Sequence, residues 1–157
     1  MLEHVAARCG EFRLLIPAEN VAHIEPVAPG ATFAPWTERD RLSRSSPLLD
    51  LRRLLEARGG VDKASRVRLR WQANDRRFGI DVLVDAADAI VDCRQADLVD
   101  ARLLPARLRP LCSQVVPDEG GLVRLRVKPD VVLAMPGRRE RRRFVDALVF
   151  EEGGDGR

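Results

Sequence analysis

The chain of 157 residues has no tyrosine, and its aromatic share is only 4%. A core built from it is aliphatic, carried mainly by Leu, Val and Ala. Lysine is nearly missing too: Lys63 and Lys128 stand alone, and every other basic residue is arginine. The cysteines, Cys9, Cys93 and Cys112, are odd in number and far apart. That spacing provides neither a disulfide framework nor a set of metal ligands, so a reduced, cytoplasmic setting is expected. The two histidines, His4 and His23, stand near no Ser or Cys in a nucleophile pattern. No apolar run reaches the roughly 20 residues that a membrane span requires. The opening stretch "MLEHVAARCGEFRLL" contains acids and bases and does not read as a signal peptide.

Apolar residues make up 45% of the chain, enough for a packed core. The length fits one domain, or two small lobes sharing an interface. With 27 basic and 24 acidic residues the net charge is +3. So small an excess does not argue for a nucleic-acid partner.

"FRLLI", residues 12 to 16, reads as a strand ending at Pro17. "PAENVAHIEPV" follows as a helical turn or a bent strand entry, closed by Pro26. Residues 25 to 47 carry Pro, Gly and Ser punctuation and read as a long loop. "SSPLLDLRRLL" then changes rhythm from a buried strand to a single helical turn. Asp50 is placed to cap that turn, and Gly59-Gly60 to stop it. In "RVRLRWQ", Val67, Leu69 and Trp71 alternate with Arg66, Arg68 and Arg70, one face buried and one wet. Asn74-Asp75 marks a hairpin tip, and a strand runs from Phe78 to Val84. Residues 96 to 121 look irregular. "GLVRLRV" alternates again, and Asp130 opens a turn carrying Val131, Val132 and Leu133. In the tail, Phe144, Val145, Leu148 and Val149 share a face in a helical reading. Strand followed by capped turn thus occurs twice, at 47–55 and 123–135, with no βαβ alternation. The pattern predicts a mostly β, small-barrel architecture with a docked terminal helix.

Several groups invite sharper readings. Arg138, Arg139, Arg141, Arg142 and Arg143 form a basic run, but no aromatics interleave it and Glu140, Glu151, Glu152 and Asp155 lie close by. It reads as a solvated helix start or a contact for an acidic protein. Asp81, Asp85, Asp88 and Asp92 fall on alternating strand faces and read as solvent-facing acids rather than a metal cluster. His23, beside Val21 and Ile24, is expected half-buried. Trp71 reads as core, the cysteines as small apolar fillers, and Trp36, in the polar loop, as a candidate interface anchor.

Four blocks in order resemble the CheW-like domain family, the coupling scaffolds of bacterial chemotaxis and the matching regulatory domain of its histidine kinase. "LLIPAENVAHIEPV" is similar to the family's "ALPIEHVREV" segment, and "PLLDLRRLL" to "VPVLDLRRLL". "RFGIDVLVDAADAI" is similar to "VGLLVDEVLGV", and "GGLVRLRVKPDVVLAM" to "GGLVLLLDLDRLL". Together they cover about residues 5 to 135. The family's "GVINLRG" block is altered to "DRLSRSS", with Asp40 where Asn is usual and Ser43 where Gly is usual. Arg41 or Arg44 takes the place of its arginine.

The resemblance implies two pseudo-symmetric, five-stranded, SH3-like β-barrel subdomains within residues 1–135. Residues 136–157 form a basic and acidic extension, a helix and then a disordered tail. It implies a non-enzymatic adaptor that couples chemoreceptor tips to the kinase regulatory domain, with no cofactor, metal, nucleic acid or membrane insertion. Partner-binding residues carried over are Val21 and Ile24 from the first block, Val82, Leu83 and Val84 from the third, and Arg41; Trp36 joins them from the loop. The alternative is a divergent module serving a partner outside chemotaxis.

Overall fold

The computed structural model describes residues 1–27, 48–58, 63–134, 137–146 and 149–150. It is mostly β, in two subdomains. The first sheet runs in the order β7-β1-β2-β10-β9-β8. Its strands are β1 (Leu2–Cys9), β2 (Phe12–Pro17), β7 (Ala86–Cys93), β8 (Val99–Asp100), β9 (Cys112–Pro117) and β10 (Val123–Val127). The second runs β11-β6-β5-β3, with β4 also on β6. It comprises β3 (Val21–Val27), β4 (Leu48–Asp50), β5 (Ala64–Ala73), β6 (Arg76–Val84) and β11 (Val149–Phe150). The sheets thus hold six and five strands, not five each, and among the described residues neither closes into a ring.

The chain begins in the first lobe, crosses to the second at Pro17, and returns through a single residue. That residue is Asp85, the only one between β6 and β7. One aliphatic core serves both lobes. Val5, Ala7, Leu14 and Ile16 of the first sheet share it with Leu49, Val67, Leu69, Ile80, Val82 and Val84 of the second. Each such Val, Leu or Ile side chain, withdrawn from water, contributes about 1.5–3 kcal/mol, against the chain entropy lost on ordering. A smaller cluster, Leu15, Cys93 and Val116, covers the other face of the first sheet.

Local chemistry explains the elements. The β5–β6 ladder puts Val67 opposite Val82 and Leu69 opposite Ile80, and these four are fully buried. Asn74 and Asp75 close that hairpin with φ of 52° and 63°, the left-handed pair of a type I′ turn. Helix α1 (Leu51–Leu55) starts where Asp50 accepts the Arg52 N–H at 2.9 Å. Leu51 and Leu55 point into the core. The helix stops earlier than the glycines suggest. Glu56 takes φ 54°, and the Ala57 N–H reaches back to the Arg52 carbonyl at 2.9 Å, completing a left-handed cap without glycine.

The second corner repeats the first: β10 leads into a 3-10 turn, Val131–Ala134, with Val131 fully buried. Helix α2 (Arg138–Asp146) packs on that turn. Val149, expected on the helix face, lies instead in β11, paired with Gly79 of β6. Of residues 25 to 47, expected as loop, the first three belong to β3 and 28–47 lie outside the described residues.

Candidate protein-interaction surface

The residues singled out from the sequence fall into three groups. Val21 is half-buried against the core, and Ile24, its near neighbour on β3, is 36% exposed. Val82, Leu83 and Val84 are 0% exposed in β6, so they offer a partner no surface and act only through the shape of the lobe. Trp36 and Arg41 lie outside the described residues. In the third block the accessible apolar side chain is Ile90 on β7, 61% exposed. Its cross-strand partner Val5 is buried in the core, so Ile90 continues the core-facing side of the sheet out to its rim. Among the described residues β7 also ends the sheet, with β1 on one side only.

The best-defined polar arrangement joins the lobes. Asp85 accepts two bonds from Arg52 Nη1, at 2.9 and 3.1 Å, and a third from the Gly10 N–H at 2.6 Å. Its own N–H donates to the Arg8 carbonyl at 2.8 Å. Both side chains are largely enclosed, so this pair is screened far less than a surface ion pair. Gly10 has φ +57°, and a Cβ there would stand 2.5 Å from the Arg58 carbonyl oxygen. Only glycine lets the β1–β2 turn and the exit of α1 approach so closely. Two further bonds hold the same junction. Glu11 accepts the Arg58 N–H at 2.8 Å, which pulls its carboxyl below the usual range. Arg107 donates to the Leu55 carbonyl at 3.0 Å, satisfying an orphan at the end of α1. The strand-to-helix corner therefore fastens one lobe to the other. Burial, ahead of every other cause, raises the Asp50 carboxyl that caps it.

Two of the four aspartates expected in solvent are thus enclosed. Asp85 is one, and Asp81, 4% exposed on the outer face of the second sheet, is the other. Asp81 accepts from Arg68 Nε, and Arg66 Nε sits 2.7 Å from its Oδ2 without the alignment of a hydrogen bond. Asp92 is exposed. The arginines of "RVRLRW" gave the only sequence hint of this cluster, because β5 and β6 pair Arg68 directly with Asp81.

His23 does not take the half-buried place expected of it. His23 is exposed, whereas His4 is fully buried. His4 Nδ1 lies 3.1 Å from the Leu2 carbonyl, and Arg126 Nε donates to its Nε2 at 2.9 Å. Burial first, then the Arg126 charge, lowers the His4 pKa and favours a neutral ring protonated on Nδ1. All three cysteines are buried, as fillers should be. Burial pushes the thiols of Cys9 and Cys112 up to about 12 and about 11, so neither supplies a thiolate at neutral pH.

Among the described residues, no three of His, Cys, Asp and Glu converge to hold a metal ion, and no helix is long and apolar enough to cross a membrane. What the chain presents is a two-lobed β module whose polar groups tie lobe to lobe, with isolated apolar side chains on the outside.

That fold is CheW-like. It is similar to the crystal structure of the scaffolding protein TtCheW from Thermoanaerobacter tengcongensis, with a TM-score of 0.59 over 81% of this chain and 88% of that one. The sequences are 10% identical, so the likeness is one of fold. No protein-family model and no curated protein matches the sequence.

Proposed function

We propose that this chain is a non-enzymatic adaptor of a cytoplasmic chemosensory assembly, joining a chemoreceptor tip to the regulatory domain of a chemotaxis histidine kinase. The observation that carries the reading is the two-lobed fold, shared with a scaffolding protein over most of both chains. The four sequence blocks support it by falling on the strands and corners that build the two lobes. Recognition then rests on apolar anchors with flanking charge for register. Val21, Ile24 and Ile90 are the proposed anchors. Trp36 and Arg41 contribute from the loop, and Val82, Leu83 and Val84 keep the lobe in shape.

The experiment is sedimentation of the purified chain with a kinase regulatory domain and, separately, with a receptor-tip fragment. A complex is expected with at least one of them. Ile24→Arg and Ile90→Arg should weaken it while leaving the melting temperature unchanged, since both side chains already face water. Absence of any complex with either fragment sinks the reading.

The altered "DRLSRSS" block favours a second reading, an adaptor of the same fold serving a partner outside chemotaxis. A defined partner of that kind, bound by the full chain and lost on deletion of residues 136–157, would decide for it.

A further inference from the structure

The β5–β6 hairpin carries a feature that the adaptor reading does not use. A cleft of about 320 Å³ opens beside it, lined by Glu19, Asn20, Arg70, Trp71, Gln72 and Arg77. One wall is the 3-10 turn Ala18–Asn20, fixed by the bond from Asn20 Nδ2 to the Arg70 carbonyl at 2.9 Å. Trp71 is half-buried and stacked on Phe78, with ring centroids 5.7 Å apart and planes 19° apart. The indole is therefore held in place before anything binds, and contact with it costs little side-chain entropy.

Arg70, Gln72 and Arg77 lie on one face of the hairpin and Trp71 with Phe78 on the other, and the cleft takes in residues of both faces at the edge of β5 beyond Leu69, its last residue paired with β3. Arg70 and Arg77 are exposed, and among the described residues neither guanidinium has a hydrogen bond or ion pair. Elsewhere in the molecule Arg52, Arg66, Arg68, Arg124 and Arg126 are engaged. Among the described lining residues, two free cations stand with a rigid aromatic ring against the single acid Glu19, and these set the charge of the occupant.

We propose that this cleft docks an acidic segment of a partner protein, its carboxylates on Arg70 and Arg77 and an apolar side chain against Trp71. The cleft is open rather than enclosed, which suits an extended segment gripped at several points. A nucleic-acid strand fits less well. Phe78 covers one face of the only ring, so there is no platform for successive bases, and Glu19 repels a phosphate backbone. The inference stands on the hairpin alone and does not depend on the chemosensory reading.

Trp36→Phe leaves Trp71 as the sole tryptophan reporter. The full-length variant is titrated with the acetylated peptide Glu-Glu-Phe-Glu-Glu, with its Lys-Lys-Phe-Lys-Lys counterpart, and with a short oligothymidylate. A saturable change in emission is expected with the acidic peptide and none with the basic one. Adding Arg70→Glu and Arg77→Glu should weaken the acidic peptide by at least about tenfold, since each charge-assisted contact is lost and replaced by repulsion. If charge reversal lowers the melting temperature, Arg70→Gln with Arg77→Gln is read by the same criterion. No saturable response, or equal affinity in the arginine variants, overturns the proposal. So does tighter binding of oligothymidylate through the same arginines, which would assign the cleft to nucleic acid.

Discussion

Asp85 and Arg52 meet across the junction of the two lobes through two bonds, 2.9 and 3.1 Å long. Arg52 belongs to the corner of the second lobe. Asp85 is the residue at which the chain leaves that lobe for the first. The same carboxylate holds the Gly10 N–H of the β1–β2 turn. One acid thus ties together three chain segments far apart in sequence, and its removal takes an acceptor from both sides.

Asp85→Ala is expected to lower unfolding stability by about 2–4 kcal/mol, because the Gly10 N–H loses its acceptor and Arg52 loses two bonds to an enclosed carboxylate. Asp85→Asn keeps an acceptor for Gly10 and should cost less. In a double-mutant cycle with Arg52→Met, the two losses should fall short of additivity by at least about 1 kcal/mol. Urea unfolding of the four proteins measures this. Additive losses would mean that the pair contributes nothing as a pair.

Gly10 and Gly120 separate two demands made of glycine. Both have positive φ, +57° and +75°, but only Gly10 is pressed against another segment. Gly120→Ala should cost about 1 kcal/mol of backbone strain. Gly10→Ala adds a contact with the backbone at Arg58 that cannot swing aside, and should cost at least about 2 kcal/mol more. Thermal melting of the two variants compares them directly, and equal losses would show that the close approach between turn and corner does not constrain the fold.

The sequence disclosed these elements unevenly, for physical reasons. The corner at 48–55 was readable because a capping aspartate and a change of period coincide within a few residues. The strand at 64–73 was readable because arginine and large aliphatics alternate sharply. By contrast β1 and β7 rest on alanines, whose small side chains give little periodic contrast, and β9 lies in a Pro-punctuated stretch. The burial of Asp81 and Asp85 depends on arginines 13 and 33 residues away, which strand pairing and chain crossing bring up. Periodicity says which side of a strand is wet on average. It does not say where a partner covers the wet side, and so it took those two aspartates for solvent; Val82–Val84, carried over from the family resemblance rather than from periodicity, are buried. An arginine at Val84 therefore tests folding, whereas one at Ile90 tests binding.

His4 makes stability depend on pH in a defined direction. In the folded chain burial first, and then the charge of Arg126, hold its pKa below the ordinary value of 6.5. In the unfolded chain it takes up a proton near that ordinary value. Below about pH 6.5 the unfolded state therefore binds more protons, and stability falls as pH falls. His23, the other histidine, is exposed. His4→Gln keeps an acceptor within reach of Arg126 but cannot titrate. Urea midpoints measured from about pH 8 down to about pH 5 should fall more steeply in the parent protein than in the variant. Parallel profiles would show that the buried ring is not the group whose protonation loosens the first lobe.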